Sequence, residues 1–226
     1  MATAVSADIE RHVSSLIVVL EFYPQMAIQM IHKWPPNIVL MMIQNDPNNK
    51  FMNSLNKAEK ILIQTLDTDG YKKLDMSLLY KMIRRFNLVA EPSKKWGNRP
   101  LATNINQGDD MERMRNNRND LVHRPKGGLS EEEREKFFQE SIEIACHVDN
   151  FIGQSTSSFE SRIRSVKIYP ITQEQYRQAL EKCVELQRKF NISQITEIMF
   201  SAYLAKCQVS FAIISFEATG PSQIQL

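Results

Sequence analysis

Apolar residues recur three and four positions apart through most of the chain, the period of an α-helix. Residues 8–33 carry Ile9, Val13, Leu16, Ile17, Leu20 and later Met26, Met30 and Ile31 at this spacing, which predicts a long amphipathic helix. Pro24 would kink or divide it, and Trp34-Pro35-Pro36 would end it. The run IVLMMI at 38–43 predicts a short buried helix, followed by a turn at Asp46-Pro47-Asn48-Asn49. A second helix is expected over 51–66, with Phe51, Leu55, Ala58, Ile61, Leu62 and Leu66 in register and Asp67-Thr68-Asp69-Gly70 closing it. A third, over 75–87, places Leu78, Leu79, Met82, Ile83 and Phe86 on one face and Lys81, Arg84 and Arg85 on the other.

Residues 90–107 read as a polar loop with Pro92, Trp96, Gly97 and Pro100, and a connection this long is often functional or mobile. A helix over 108–123 comes next. Ser130-Glu131-Glu132-Glu133 has the form of a capping box. It opens a helix to about 152 with Phe137, Phe138, Ile144, Ala145, Val148 and Phe151 inward and Gly153 as its stop. Composition shifts at 153–161 (GQSTSSFES), a candidate boundary. Thr172-Gln173-Glu174-Gln175 starts a helix to about 190, Ser193 another to about 206, and the tail from Val209 reads as a strand or a cut-off segment. Alternation with period two is absent before residue 205. The expected fold is all-α: a helical bundle over 8–153, with a linker and short helical extension over 154–226 whose role the pattern leaves open.

The chain of 226 residues, 42% of them hydrophobic, supports a sizeable core. Seven glycines are few for an all-β protein of this size. Cys146, Cys183 and Cys207 are widely spaced and odd in number, which suggests free thiols in a reducing compartment. His12, His32 and His147 also lack metal-ligand spacing, and no Gly-rich phosphate loop appears, so neither a metal nor a cofactor is expected. The N-terminus lacks a basic start ahead of a long apolar core, and Leu16–Leu20 is too short to span a membrane. A cytoplasmic or nucleocytoplasmic protein without membrane attachment is the expectation.

The net charge of +2 conceals an asymmetry. Lys72 to Lys126 holds 13 Lys and Arg against 6 Asp and Glu, while the rest of the chain holds 15 against 20. A local excess of this kind favours a polyanion, most simply nucleic acid. The alternative is a basic helix face balanced by acidic helices within the fold.

At the centre of the basic stretch lies Arg118-Asn119-Asp120-Leu121-Val122-His123, an Arg-Asn-x-x-x-His hexapeptide. Imidazole moves protons near neutral pH, and a guanidinium holds phosphate through its planar fork. Together they suit metal-free phosphodiester chemistry. On a helix, Met111, Met114, Leu121 and Val122 form an apolar stripe, and Arg118 falls inside it. Such a position is costly for a charge unless it faces a partner or a cleft. Arg115, Arg118, Asn119 and His123 would form a compact patch. Arg118 and His123 diverge by roughly 140° on an ideal helix, so they converge at a fraying end or between two copies. The alternative is a solvated basic face whose C-terminal His complements the helix dipole. Trp96, with Lys94, Lys95 and Arg99, could stack a base beside phosphate contacts, or plug the domain edge.

LEFYPQMAIQMIHKWPP (20–36), LDMSLLYKMIRRF (74–86), KKWGNRP and GDDMERMRNNRNDLVH (108–123), in this order, resemble a HEPN domain. The subtype they resemble is that of the DAZ-interacting zinc-finger ubiquitin ligases. The resemblance spans residues 8–153. It implies a helical bundle that dimerises with its motif helices facing, and a metal-independent endoribonuclease acting on single-stranded RNA. Arg118 would bind the scissile phosphate, Asn119 would orient it or the His, and His123 would act as general base or acid on the ribose 2′-hydroxyl. Arg115, Arg124, Lys126, Arg84, Arg85, Lys94, Lys95 and Trp96 would contact RNA. The ligases' RING has no counterpart here, since the chain has no Cys/His array. Many HEPN members are interaction modules, so a non-catalytic adaptor within a larger defence, signalling or ubiquitin-ligase-related protein stands beside the nuclease.

Overall fold

The computed structural model describes residues 7–122, 128–153, 158–175, 177–179 and 181–182. The described residues hold helices and no strand, so the fold is all-α, as the periodicity predicts. The N-terminal stretch forms α1 (Ala7–Ile17), a π turn (Val18–Phe22) and α2 (Tyr23–Met30). Pro24 does not break it. The proline sits in the first turn of α2, where its missing N–H is tolerated. The π turn ahead of it carries the backbone bonding through, with the Tyr23 N–H donating to the Val18 carbonyl. Residues 10–30 are long and apolar enough to cross a membrane by length and composition, a longer stretch than the run at 16–20 suggests, and 67% of their apolar window is buried inside the bundle.

α3 (Pro36–Gln44) is the helix expected from IVLMMI, but it lies at the surface: Val39 and Ile43 are buried while Met41 is 54% exposed. The helix expected over 51–66 is three pieces, α4 (Lys50–Asn53), α5 (Lys57–Gln64) and α6 (Leu66–Asp69). The break has a local cause. Asn56 accepts the Glu59 N–H at 2.9 Å and the Glu59 carboxylate accepts the Asn56 N–H at 2.9 Å, so a capping box opens a new helix inside the expected one. The register changes with it, leaving Ile61 53% exposed and Ile63 buried.

α7 (Met76–Phe86) starts on Asp75, whose carboxylate accepts the Leu78 N–H at 2.8 Å, and stops at Asn87 in the left-handed region. α8 (Gln107–Val122) is the motif helix, and α9 (Glu131–Ile152) opens on the Ser130/Glu133 capping box and closes on Gly153. The core unites Leu16, Tyr23 and Met26 from the N-terminal helices with Leu78, Leu79 and Met82 of α7, Met111 and Met114 of α8, and Phe138 and Ala145 of α9. Each large apolar side chain removed from water contributes about 1.5–3 kcal/mol. That shared burial, more than helix propensity, holds the bundle. The buried hydroxyl of Tyr23 links three elements, 2.7 Å from Ser141 Oγ on α9 and accepting from Asn117 Nδ2 on α8 at 3.2 Å.

Packing continues past the compositional shift at 153–161. α10 (Phe159–Ile168) folds back along α9 and buries Phe159 and Ile163. Asp149 near the end of α9 accepts the Phe159 and Glu160 N–H groups, each at 3.0 Å. Thr172 and Gln175 then exchange bonds at 2.8 and 3.2 Å, as the second capping box requires. The expected extension of that helix to 190, the helix from Ser193 and the strand-like tail lie outside the described residues.

Candidate functional site

The motif helix is fixed at its start by the loop that precedes it. Asn106 Oδ1 accepts the Asp109 N–H at 2.9 Å, and Asp109 returns the bond to the Asn106 N–H at 3.2 Å. The same Asp109 carboxylate takes the N–H and the hydroxyl of Ser93, both at 2.8 Å. Gly108 lies against the Ala90 carbonyl and Pro92, leaving no room for a Cβ. The 90–107 segment is therefore clamped to α8, not loose.

One turn further, the buried Glu112 carboxylate accepts from Tyr80 Oη at 2.6 Å, the Gly97 N–H at 2.6 Å and Arg115 Nε at 2.9 Å. Burial, reinforced by this carboxylate, pushes the Tyr80 phenol up to about 12. The Arg115 guanidinium also lies 5.2 Å from the centre of the Tyr80 ring, and Trp96 meets that ring edge-on at 5.7 Å. Arg115 and Trp96, both candidates for RNA contact, are thus engaged in holding the loop to the helix. For Trp96 this is the edge-plugging role.

Other basic candidates are divided. Arg85 pairs with the buried Asp46, which also accepts the Phe51 N–H at 2.7 Å. Lys95 pairs with Glu91 at 3.1 Å and Arg99 with Asp120 at 3.0 Å. Arg84 and Lys94 are exposed, and neither forms an ion pair among the described residues. His123, Arg124 and Lys126 lie outside the described residues.

Arg118 differs from all of these. The apolar stripe around it, Met111, Met114, Leu121 and Val122, is buried in the protomer's own core. The stripe therefore needs no second copy to cover it, which removes that particular argument for a dimer. Arg118 itself is only 8% exposed. Among the described residues its guanidinium makes one hydrogen bond, from Nη1 to Asn119 Oδ1 at 3.1 Å. Asp75 is close enough to favour the charge but forms no ion pair with it, and burial lowers the Arg118 pKa. Holding a buried cation with so few partners is costly. The guanidinium faces a cavity of about 500 Å³, walled by Val19, Leu20, Ile28, Leu62 and Met76 and edged by Lys72 and Lys73. Chemically, a guanidinium with donors free among the described residues, beside open space, can hold an oxyanion.

A second buried cluster escaped the sequence reading. Asp110 accepts from Arg113 Nη1 at 2.9 Å and lies 3.0 Å from His147 Nδ1. Arg113 Nη2 donates to the carbonyls of Leu101, at 2.8 Å, and Asn104, which fixes the loop a third time. Burial pushes the Asp110 carboxyl up to about 6, against the pull of His147 and Arg113. No group of three or more His, Cys, Asp or Glu side chains among the described residues is arranged to hold a metal ion. Cys146 is a free, half-buried thiol pushed up to about 11 by burial and by Glu160, the opposite of a reactive thiolate. The chain matches no family model, no curated protein and no solved structure.

Proposed function

We propose that this all-α chain is a HEPN-type RNA-binding domain in which Arg118 holds a phosphate of single-stranded RNA. In this reading His123 moves the proton of the ribose 2′-hydroxyl, and two copies of the domain form the functional unit. Catalysis would need no metal. General acid–base help from His123 is typically worth about 10²–10⁴-fold, and charge stabilisation by Arg118 a similar factor. The observation that supports the reading is the state of Arg118: a buried guanidinium with one neutral partner, facing open space beside Lys72 and Lys73. Asn119, which accepts from that guanidinium, would orient the phosphate or His123 in this reading. The deciding experiment is cleavage of single-stranded RNA in EDTA, wild type against His123→Ala. Products with 2′,3′-cyclic phosphate ends, lost in the variant, would support it.

A second reading is a non-catalytic helical adaptor within a larger protein. It is favoured by the Glu112 centre, where Arg115 and Trp96 have packing roles that call for no nucleic acid. RNA neither bound nor cut by the wild-type chain would favour that reading over the nuclease.

A further inference from the structure

We propose that the Arg118 cavity is a binding site, complete within one protomer, for a small amphiphilic anion: an aliphatic chain ending in an oxyanion. The head group would sit on Arg118 and the chain along the aliphatic wall. Three observations carry this. The volume of about 500 Å³ lies in the range of small-molecule sites. The wall is aliphatic, and no aromatic side chain lines it among the described residues, so it offers an alkyl chain a surface and a nucleobase no stacking platform. The polar end is cationic where it matters: Arg118 is more than nine-tenths buried and has four of its five N–H donors without a partner among the described residues.

The neighbouring charges agree with that polarity. Lys73 is paired with Asp69 and Lys182 with Glu21, but Lys72 at the rim has no ion pair among the described residues. Asp75 is occupied in capping α7 through the Leu78 N–H, and the first turn of that helix, with Ser77, borders the cavity. Asp75 favours the Arg118 charge from a distance, and an anion on the guanidinium would add the direct ion pair that Asp75 does not form.

The inference needs neither RNA, His123 nor a second copy. The test uses the full chain and two probes of equal chain length, decanoate and decanol, titrated by calorimetry below the concentration at which decanoate forms micelles. Arg118→Met keeps the side chain's bulk and removes its charge. Leu62→Trp fills the cavity from its half-buried wall, and Ile28→Trp replaces it if that variant does not fold. Wild type is expected to bind one decanoate per chain. Arg118→Met should bind it about tenfold or more weakly, since charged hydrogen bonds carry factors of that size, while decanol binding stays unchanged. The filled variants should lose both probes. Absence of saturable binding to the wild type, or decanoate affinity in Arg118→Met within twofold of wild type, overturns the proposal. A chain that takes up decanoate but cuts no RNA leaves it standing; one that cuts RNA but takes no decanoate overturns it alone.

Discussion

His147 Nδ1 lies 3.0 Å from the Asp110 carboxylate, across the seam between α9 and α8. Arg113 shares that carboxylate, and Glu140, Glu143 and Lys136 face the same small cavity. Burial moves Asp110 from 3.8 to about 6, so the folded chain keeps a proton that the unfolded chain has already released. The stabilisation this brings is complete below pH ~4 and is lost as pH rises through ~6. Relative to Asp110→Asn, the wild type should therefore lose stability across that window, by at most roughly 3 kcal/mol. Urea denaturation of both proteins from pH 4 to 7 measures it. Stability curves that stay parallel would show that Asp110 does not titrate there.

Glu112 supports the loop through three donors at once. Glu112→Ala leaves the buried Tyr80 hydroxyl, the Gly97 N–H and the Arg115 guanidinium without this acceptor. The expected cost is about 3–5 kcal/mol, the range for removing one partner of a buried ion pair. Glu112→Gln keeps an acceptor oxygen and should cost less. Hydrogen exchange at the Gly97 amide should quicken in step with the loss. A stable Glu112→Ala protein with an unchanged Gly97 amide would contradict the hub.

Gly108 is required by space and not by its backbone angle. A Cβ there would meet backbone atoms, the Ala90 carbonyl oxygen and, at 2.6 Å, the Pro92 nitrogen. Neither can rotate away as a side chain could, so the loop or the helix start must shift. Gly108→Ala should destabilise by about 1–3 kcal/mol, despite alanine's better helix propensity. An unchanged or raised melting temperature would count against this close approach.

Much of this was legible in the chain, and the misses have physical reasons. The motif helix, expected over 108–123, is Gln107–Val122, and the Ser130 box stands where its spacing put it. Apolar period alone could not divide 51–66, because Asn56 and Glu59 cut it through polar backbone bonds that leave the spacing of Leu55, Leu62 and Leu66 intact. Phe151, expected inward, is 38% exposed since it falls in the last turn of α9. The carboxylates at 109, 110 and 112 carry no local signal of burial in the sequence. They are buried because their partners, Ser93, Gly97 and His147, come from a loop and a helix that no local pattern joins to α8. The Asn106 and Asp109 pairing is the one part of this network with a readable signature, a capping box with Asp in place of Glu.

Arg115 and Arg118 stand one turn apart, and their substitution should separate folding from binding. Arg115 answers the buried Glu112 charge, so Arg115→Ala leaves that carboxylate with the Tyr80 and Gly97 donors and should lower stability by about 1.5–3 kcal/mol. Arg118 answers no buried charge at hydrogen-bond range, and its own desolvation opposes the folded state. Arg118→Met should therefore leave stability unchanged or raise it. If Arg118 holds RNA phosphate, the same substitution should weaken binding of single-stranded RNA and reduce its salt dependence by about one counterion. Arg115→Ala, assayed where it is still folded, should weaken RNA far less. Thermal melts, paired with RNA titrations at two salt concentrations, give both readouts. Equal loss of RNA binding in the two folded variants would make the whole basic face the contact. Loss in neither would remove Arg118 from RNA recognition and favour the adaptor.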